Sequence, residues 1–168
     1  ITECLHGIYI RKADRVRVED NTILGRSETL ERIDPLKDGL TPDAGELCAV
    51  PLNQNRRGNG VHVWSSTGHV IARNVIRDTR DGIYFSFVDG SEVRDNDISQ
   101  VRYGLHYMYS DDNQFEGNVF RDNAAGAALM YSKGLVLRRN RFVANRSHRA
   151  YGLLLQSVAA LVGGWSVG

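Results

Sequence analysis

Met108 and Met130 are the only two methionines of the chain, and they stand 22 residues apart. His106 lies two residues before Met108, and His62 lies two further steps of 22 back from His106. Thioether sulfur and imidazole nitrogen are soft to borderline donors, the set that Cu(I) prefers. No carboxylate is interleaved with them, which disfavours calcium and magnesium, hard ions bound through oxygen. The candidate metal residues are therefore His62, His106, Met108 and Met130, and the candidate ion is Cu(I). The same residue types on a strand also suit a surface that covers a loop or a partner protein. Spacing alone leaves both readings open.

A separation of 22 residues brings side chains together only if the chain repeats with that period, and it does. Gly60, Gly82, Gly104 and Gly126 follow one another at steps of 22, with Gly7 opening an earlier unit and Gly152 a later one. Counting each glycine as zero, position 1 holds Ile8, Val61, Ile83, Leu105, Ala127 and Leu153. Position 3 holds Ile10, Val63, Phe85, Tyr107, Leu129 and Leu155. Position 14 is asparagine in five units: Asn21, Asn74, Asn96, Asn118 and Asn140. Apolar residues recur at position 11 (Val18, Ile71, Val93, Phe115, Leu137) and at position 16 (Ile23, Ile76, Ile98, Phe120, Phe142).

Alternation at positions 1 and 3 has the period of a strand. Each unit has room for three short strands and three turns, but not for a helix as well. The pattern predicts a right-handed parallel β-helix of about six coils with a 22-residue repeat, stacked about 4.8 Å apart. The predicted core includes Ile83, Phe85, Leu105, Tyr107, Leu129, Val93, Phe115 and Leu137. The asparagines predict a ladder: Asn tolerates the left-handed backbone of a corner, and its amide can bond to the next Asn along the stack. Positions 2 and 4 then point outward. Position 2 reads Tyr9, His62, Tyr84, His106, Ala128 and Leu154, and position 4 reads Arg11, Trp64, Ser86, Met108, Met130 and Gln156. A solvated strand face would carry Ser, Thr, Lys and carboxylates instead.

The chain of 168 residues reads as one domain, 1–168, with an inserted loop at 28–57 and an irregular tail at 157–168. A net charge of +1 gives no electrostatic case for nucleic acid as a partner. No apolar run approaches the roughly 18 residues of a membrane span. Two cysteines, Cys4 and Cys48, are too few for a disulfide scaffold; one bridge and two unrelated thiols are both compatible with the sequence.

An enzyme on the same scaffold, a polysaccharide lyase or hydrolase, would need a convergent acid–base set. The adjacent pair Asp111 and Asp112 falls in a turn, Asp81 and Asp89 are scattered, and nothing aligns Arg80 or Lys133 with them. A carbohydrate-binding module would use Trp64 and Tyr84 as stacking platforms.

The segments GNGVHVW (58–64), RDGIY (80–84), GLHYMYSDDNQFEGN (104–118) and GAALMYS (126–132) resemble the NosD family. NosD is the periplasmic copper-binding accessory protein of nitrous-oxide reductase maturation. The similarity runs from about residue 3 to residue 156, and HYMY is its most specific part. The resemblance implies a non-enzymatic protein in the periplasm, working with the subunits of an ABC transporter. It implies a role in supplying copper to the copper–sulfur centre of nitrous-oxide reductase, with a membrane-anchored copper chaperone as donor. It also implies that the chain is a fragment of a longer protein.

Overall fold

A computed structural model describes residues 1, 2, 4–25, 57–147 and 151–168. They form a parallel β-solenoid of about five turns. The first strand of each coil carries positions 1 and 3: β1 (Ile8–Arg11), β4 (Val61–Thr67), β7 (Asp81–Asp89), β10 (Tyr103–Met108), β13 (Ala125–Lys133) and β15 (Leu153–Ala159). These six strands make one parallel sheet in the order β1-β4-β7-β10-β13-β15. The second strands are β2 (Arg17–Glu19), β5 (Val70–Ala72), β8 (Glu92–Arg94) and β11 (Gln114–Glu116). The third are β3 (Thr22–Leu24), β6 (Val75–Arg77), β9 (Asp97–Ser99) and β12 (Val119–Arg121). In the next coil both merge into β14 (Val136–Val143), which pairs with β11 and β12 at once and so joins the two stacks into one sheet. The sixth unit supplies only β15 and β16 (Val162–Val167). There the register slips between Arg138 and Asn140, and Asn140 faces Trp165.

The eight core residues read from the repeat are all at most 1% exposed. Tyr107 is inward although polar. Its hydroxyl donates to the Ser110 carbonyl and accepts from Asn113 Nδ2, so the phenol oxygen is not stranded in the core. Burial pushes this phenol's pKa up.

The asparagine column is a continuous hydrogen-bonded ladder. Asn74 Nδ2 donates to Asn96 Oδ1 at 2.9 Å, Asn96 to Asn118 at 2.9 Å, and Asn118 to Asn140 at 2.9 Å. The same oxygens also accept the backbone N–H of the preceding rung's Asn, at 2.9–3.1 Å. Each Nδ2 reaches further, to a carbonyl of the coil before: Asn118 to Val93 at 2.8 Å and Asn140 to Phe115 at 2.9 Å. The left-handed conformation expected of these asparagines belongs to the residue before each one. Asp20, Arg73, Asp95, Gly117 and Arg139 have φ of 59°, 54°, 56°, 65° and 53°. The asparagine is chosen for its side-chain amide, which satisfies buried backbone groups on two coils.

The glycine column answers to a different constraint. A Cβ on Gly104 would lie 2.5 Å from the carbonyl oxygen of Gly126 and 2.5 Å from a ring carbon of Phe120. Successive coils approach too closely there for any side chain.

The insertion expected at 28–57 lies, apart from Arg57, outside the described residues, as does Cys48, the partner in the possible bridge to Cys4. Among the described residues no helix is long and apolar enough to cross a membrane.

Candidate functional site

Strand pairing places the outward columns in register. Position 2 runs Tyr9, His62, Tyr84, His106, Ala128 and Leu154, each facing the next. Position 4 runs Arg11, Trp64, Ser86, Met108, Met130 and Gln156. Met108 therefore pairs directly with Met130, and His106 sits on the same face two residues along the strand from Met108. His62 is two rungs from His106, with Tyr84 between them. Strand register thus sets Met108 beside Met130, with His106 two residues along the same outward face, and His62 two rungs from His106.

His62 belongs to a ring column instead. It stacks on Tyr9 and on Tyr84 with centroids 4.5 Å apart on each side. Tyr84 meets His106 edge-on at 5.1 Å, and His6 meets His62 edge-on at 5.3 Å. These five rings line a groove of about 1060 Å³, together with Asp81 and Arg102; Met108 and Met130 lie outside it. Both sugar-stacking platforms are already occupied. Tyr84 is held between His62 and His106, and the guanidinium of Arg11 lies 4.5 Å from the centre of the Trp64 ring.

Asp81 opens β7 and is only 1% exposed, yet it is charged. Arg102 clamps it with two bonds, Nε to Oδ1 at 2.8 Å and Nη2 to Oδ2 at 2.6 Å. His106 Nδ1 lies 3.0 Å from the same Oδ2. Burial alone would raise the pKa of Asp81, but the hydrogen bonds from His106 and Arg102 hold it below the usual carboxylate value. Asp89 and Asp111 bind backbone N–H groups of the next coil. Asp89 Oδ1 accepts the Asp111 N–H at 2.7 Å, and Asp111 Oδ1 accepts the Lys133 N–H at 2.9 Å.

Sequence reasoning missed His6, Asp81 and Arg102 as groove residues. The signal was present: Asn59 and Asp81 each stand just before a repeat glycine, two polar residues in one column. It also missed an exposed aromatic stack at position 5. Phe87, Tyr109 and Tyr131 stack at 5.3 and 5.1 Å although 54%, 47% and 44% exposed.

Three histidines carry lowered pKa values. Burial pushes His62 down to about 4, reinforced by neighbouring His6 and opposed by Asp81. Burial and the charge of Arg80 lower His6, and burial lowers His69. The unfolded chain therefore takes up protons near pH 6.5 while the folded chain does not. Their contribution to stability is fully present above pH 6.5 and is lost as pH falls towards about 4. Asp20 and Asp81, whose pKa values are lowered, act only below that window. Urea melts should accordingly show stability dropping from pH 7 to pH 5. A flat profile would mean that these imidazoles are as free folded as unfolded.

Among the described residues, no group of three or more His, Cys, Asp or Glu side chains is placed to hold a metal ion. No curated protein matches the chain. A family model described as periplasmic copper-binding protein (NosD) matches residues 45–161. That span covers most of the chain, from before β4 through β15, and includes every residue of the His106–Met108–Met130 patch. The chain belongs to the NosD family of periplasmic copper-binding proteins.

Proposed function

We propose that this chain is a periplasmic copper-binding accessory protein that takes Cu(I) as cargo on the outward face of β10 and β13. The observation that carries the reading is the register pairing of Met108 with Met130 beside His106, within a NosD-family solenoid. Adjacent rungs lie about 4.8 Å apart, close enough for two thioethers to meet one ion. The residues fit Cu(I): two soft sulfurs and one imidazole, with no carboxylate ladder to attract a hard cation. His62, set in the ring column, is a secondary donor outside this patch.

Three donors on an open strand face make a shallow site with room for a fourth ligand from another protein. Such a site suits transfer better than storage, because ligands can exchange one at a time. The family role then follows: copper received from a membrane-anchored chaperone, supplied to the copper–sulfur centre of nitrous-oxide reductase, in association with an ABC transporter. An anaerobic Cu(I) titration against a competing chelator tests the binding step. Met130→Ala should weaken binding about tenfold, roughly 1.4 kcal/mol, while its melting curve stays within about 1 kcal/mol of wild type, since the side chain points away from the core. Unchanged affinity would count against the patch.

A further inference from the structure

Hydrogen-bond partners decide which nitrogen of each described histidine carries the proton. A backbone N–H can only donate. The Asn59 N–H donates to His6 Nδ1 at 3.1 Å, and the Val16 N–H donates to His69 Nδ1 at 3.2 Å. Both neutral rings therefore carry their proton on Nε2, where it blocks a metal. His62 faces the side-chain amide of Asn59 at 2.9 Å, a contact that fits either tautomer. His106 is the opposite case. Two groups face its Nδ1: Asp81 Oδ2, an acceptor only, at 3.0 Å, and Arg102 Nη2, a donor, at 3.4 Å. Arg102 Nη2 is already committed to Asp81 Oδ2 at 2.6 Å, so the nearer carboxylate sets the neutral ring's proton on Nδ1 and Nε2 keeps its lone pair.

We infer that Asp81, clamped by Arg102, is a positioning residue that fixes His106 in the tautomer able to donate Nε2 to the metal patch. This inference rests on the copper reading above for what the lone pair binds. The geometry behind it stands apart from that reading. Arg102 occupies both oxygens of Asp81, so the carboxylate cannot turn away, and the carboxylate in turn fixes the ring plane of His106. An imidazole that donates its far N–H to a carboxylate is the usual support of a metal-bound histidine, and losing such a support costs about 10–100-fold in metal affinity. Asp81 opens β7, the strand of Tyr84, and Arg102 stands just before β10, the strand of His106. This pair thus controls the chemistry of the neighbouring outward column.

The test is nitrogen-15 NMR of the histidine rings at pH 7.5, first without metal and then during an anaerobic Cu(I) titration. In the wild-type chain His106 should show a protonated Nδ1 and a bare Nε2, and Cu(I) should shift Nε2. In Asp81→Ala the ring should move towards the Nε2–H form, and Cu(I) affinity should fall about 10–100-fold. Wild-type His106 protonated on Nε2 would overturn the inference without any variant, leaving the thioether pair as the copper reading. A tautomer and an affinity that both survive Asp81→Ala would overturn it too. An Nε2 signal that switches with Asp81 but ignores Cu(I) would overturn the copper role of the patch, and the positioning role with it. Arg102→Gln, which leaves the carboxylate in place, should keep the Nδ1–H tautomer but broaden the His106 ring signals. Loss of that tautomer with Asp81 intact would contradict the carboxylate as its cause.

Discussion

Replacing Asn118 by alanine should cost the fold about 2–6 kcal/mol, enough to leave a small domain largely unfolded. Asn118 Oδ1 accepts both the backbone N–H and the side-chain amide of Asn96, while its Nδ2 serves the Val93 carbonyl and Asn140. Alanine would strand the buried Asn96 N–H and the buried Val93 carbonyl. Each orphaned group costs about 1–3 kcal/mol, and no water can enter a column that is 0–1% exposed. The loss is confined to no single coil, because each rung of the ladder orients the next. Chemical denaturation followed by circular dichroism measures it. A loss below about 1 kcal/mol would mean that the column is ornamental and the apolar core alone specifies the stack.

The second large effect concerns copper. Removing both thioethers, in Met108→Ala/Met130→Ala, should lower Cu(I) affinity by roughly a hundredfold or more, about 2.8 kcal/mol. Loss of an outer-shell support alone costs about 10–100-fold, so loss of two direct donors should reach at least the upper end. Fold stability should change little, since both side chains are outward and only half-buried. Chelator competition under anaerobic conditions reads the affinity, and a thermal melt of the same sample reads the fold. Equal affinity in the double variant would move the copper elsewhere on the chain.

The repeat made the scaffold legible because every coil spends the same residue types on the same structural problem. Positions 1 and 3 fill the core, position 14 ties the coils, and position zero admits no side chain. Parity along a strand then fixed which residues face outward, so the pairing of Met108 with Met130 could be read before any coordinates. Other features were less visible for physical reasons. The left-handed residue falls one place before each asparagine and is variously Asp, Arg or Gly, so composition does not mark it. Merging of the second and third strands in β14 has no counterpart in the residue pattern, and its corner residue Arg139 has the same left-handed backbone as its equivalents in the other coils.

The site was legible only in part. His106, Met108 and Met130 emerged from spacing. Asp81 and Arg102 did not, because they stand at the start of β7 and just before β10, ahead of the alternating positions, and meet through a 21-residue step rather than the repeat of 22. The separation of His62 from the thioethers follows from the two repeats between His62 and His106, and only the structure shows the Tyr84 ring stacked between them. A one-dimensional period assigns a residue to a column but does not say what its rungs are already stacked against. The aromatic stack of Phe87, Tyr109 and Tyr131 is the same lesson at position 5, where each ring stands on a left-handed backbone.

X-ray absorption spectroscopy of the Cu(I)-loaded chain, with cysteines blocked, tests the copper patch most directly. The patch predicts sulfur and imidazole nitrogen together in the first shell of copper. It predicts further that the sulfur contribution disappears in Met108→Ala/Met130→Ala and the imidazole contribution in His106→Ala. Copper surrounded by nitrogen and oxygen alone, or a sulfur shell that persists without both methionines, would contradict the assignment.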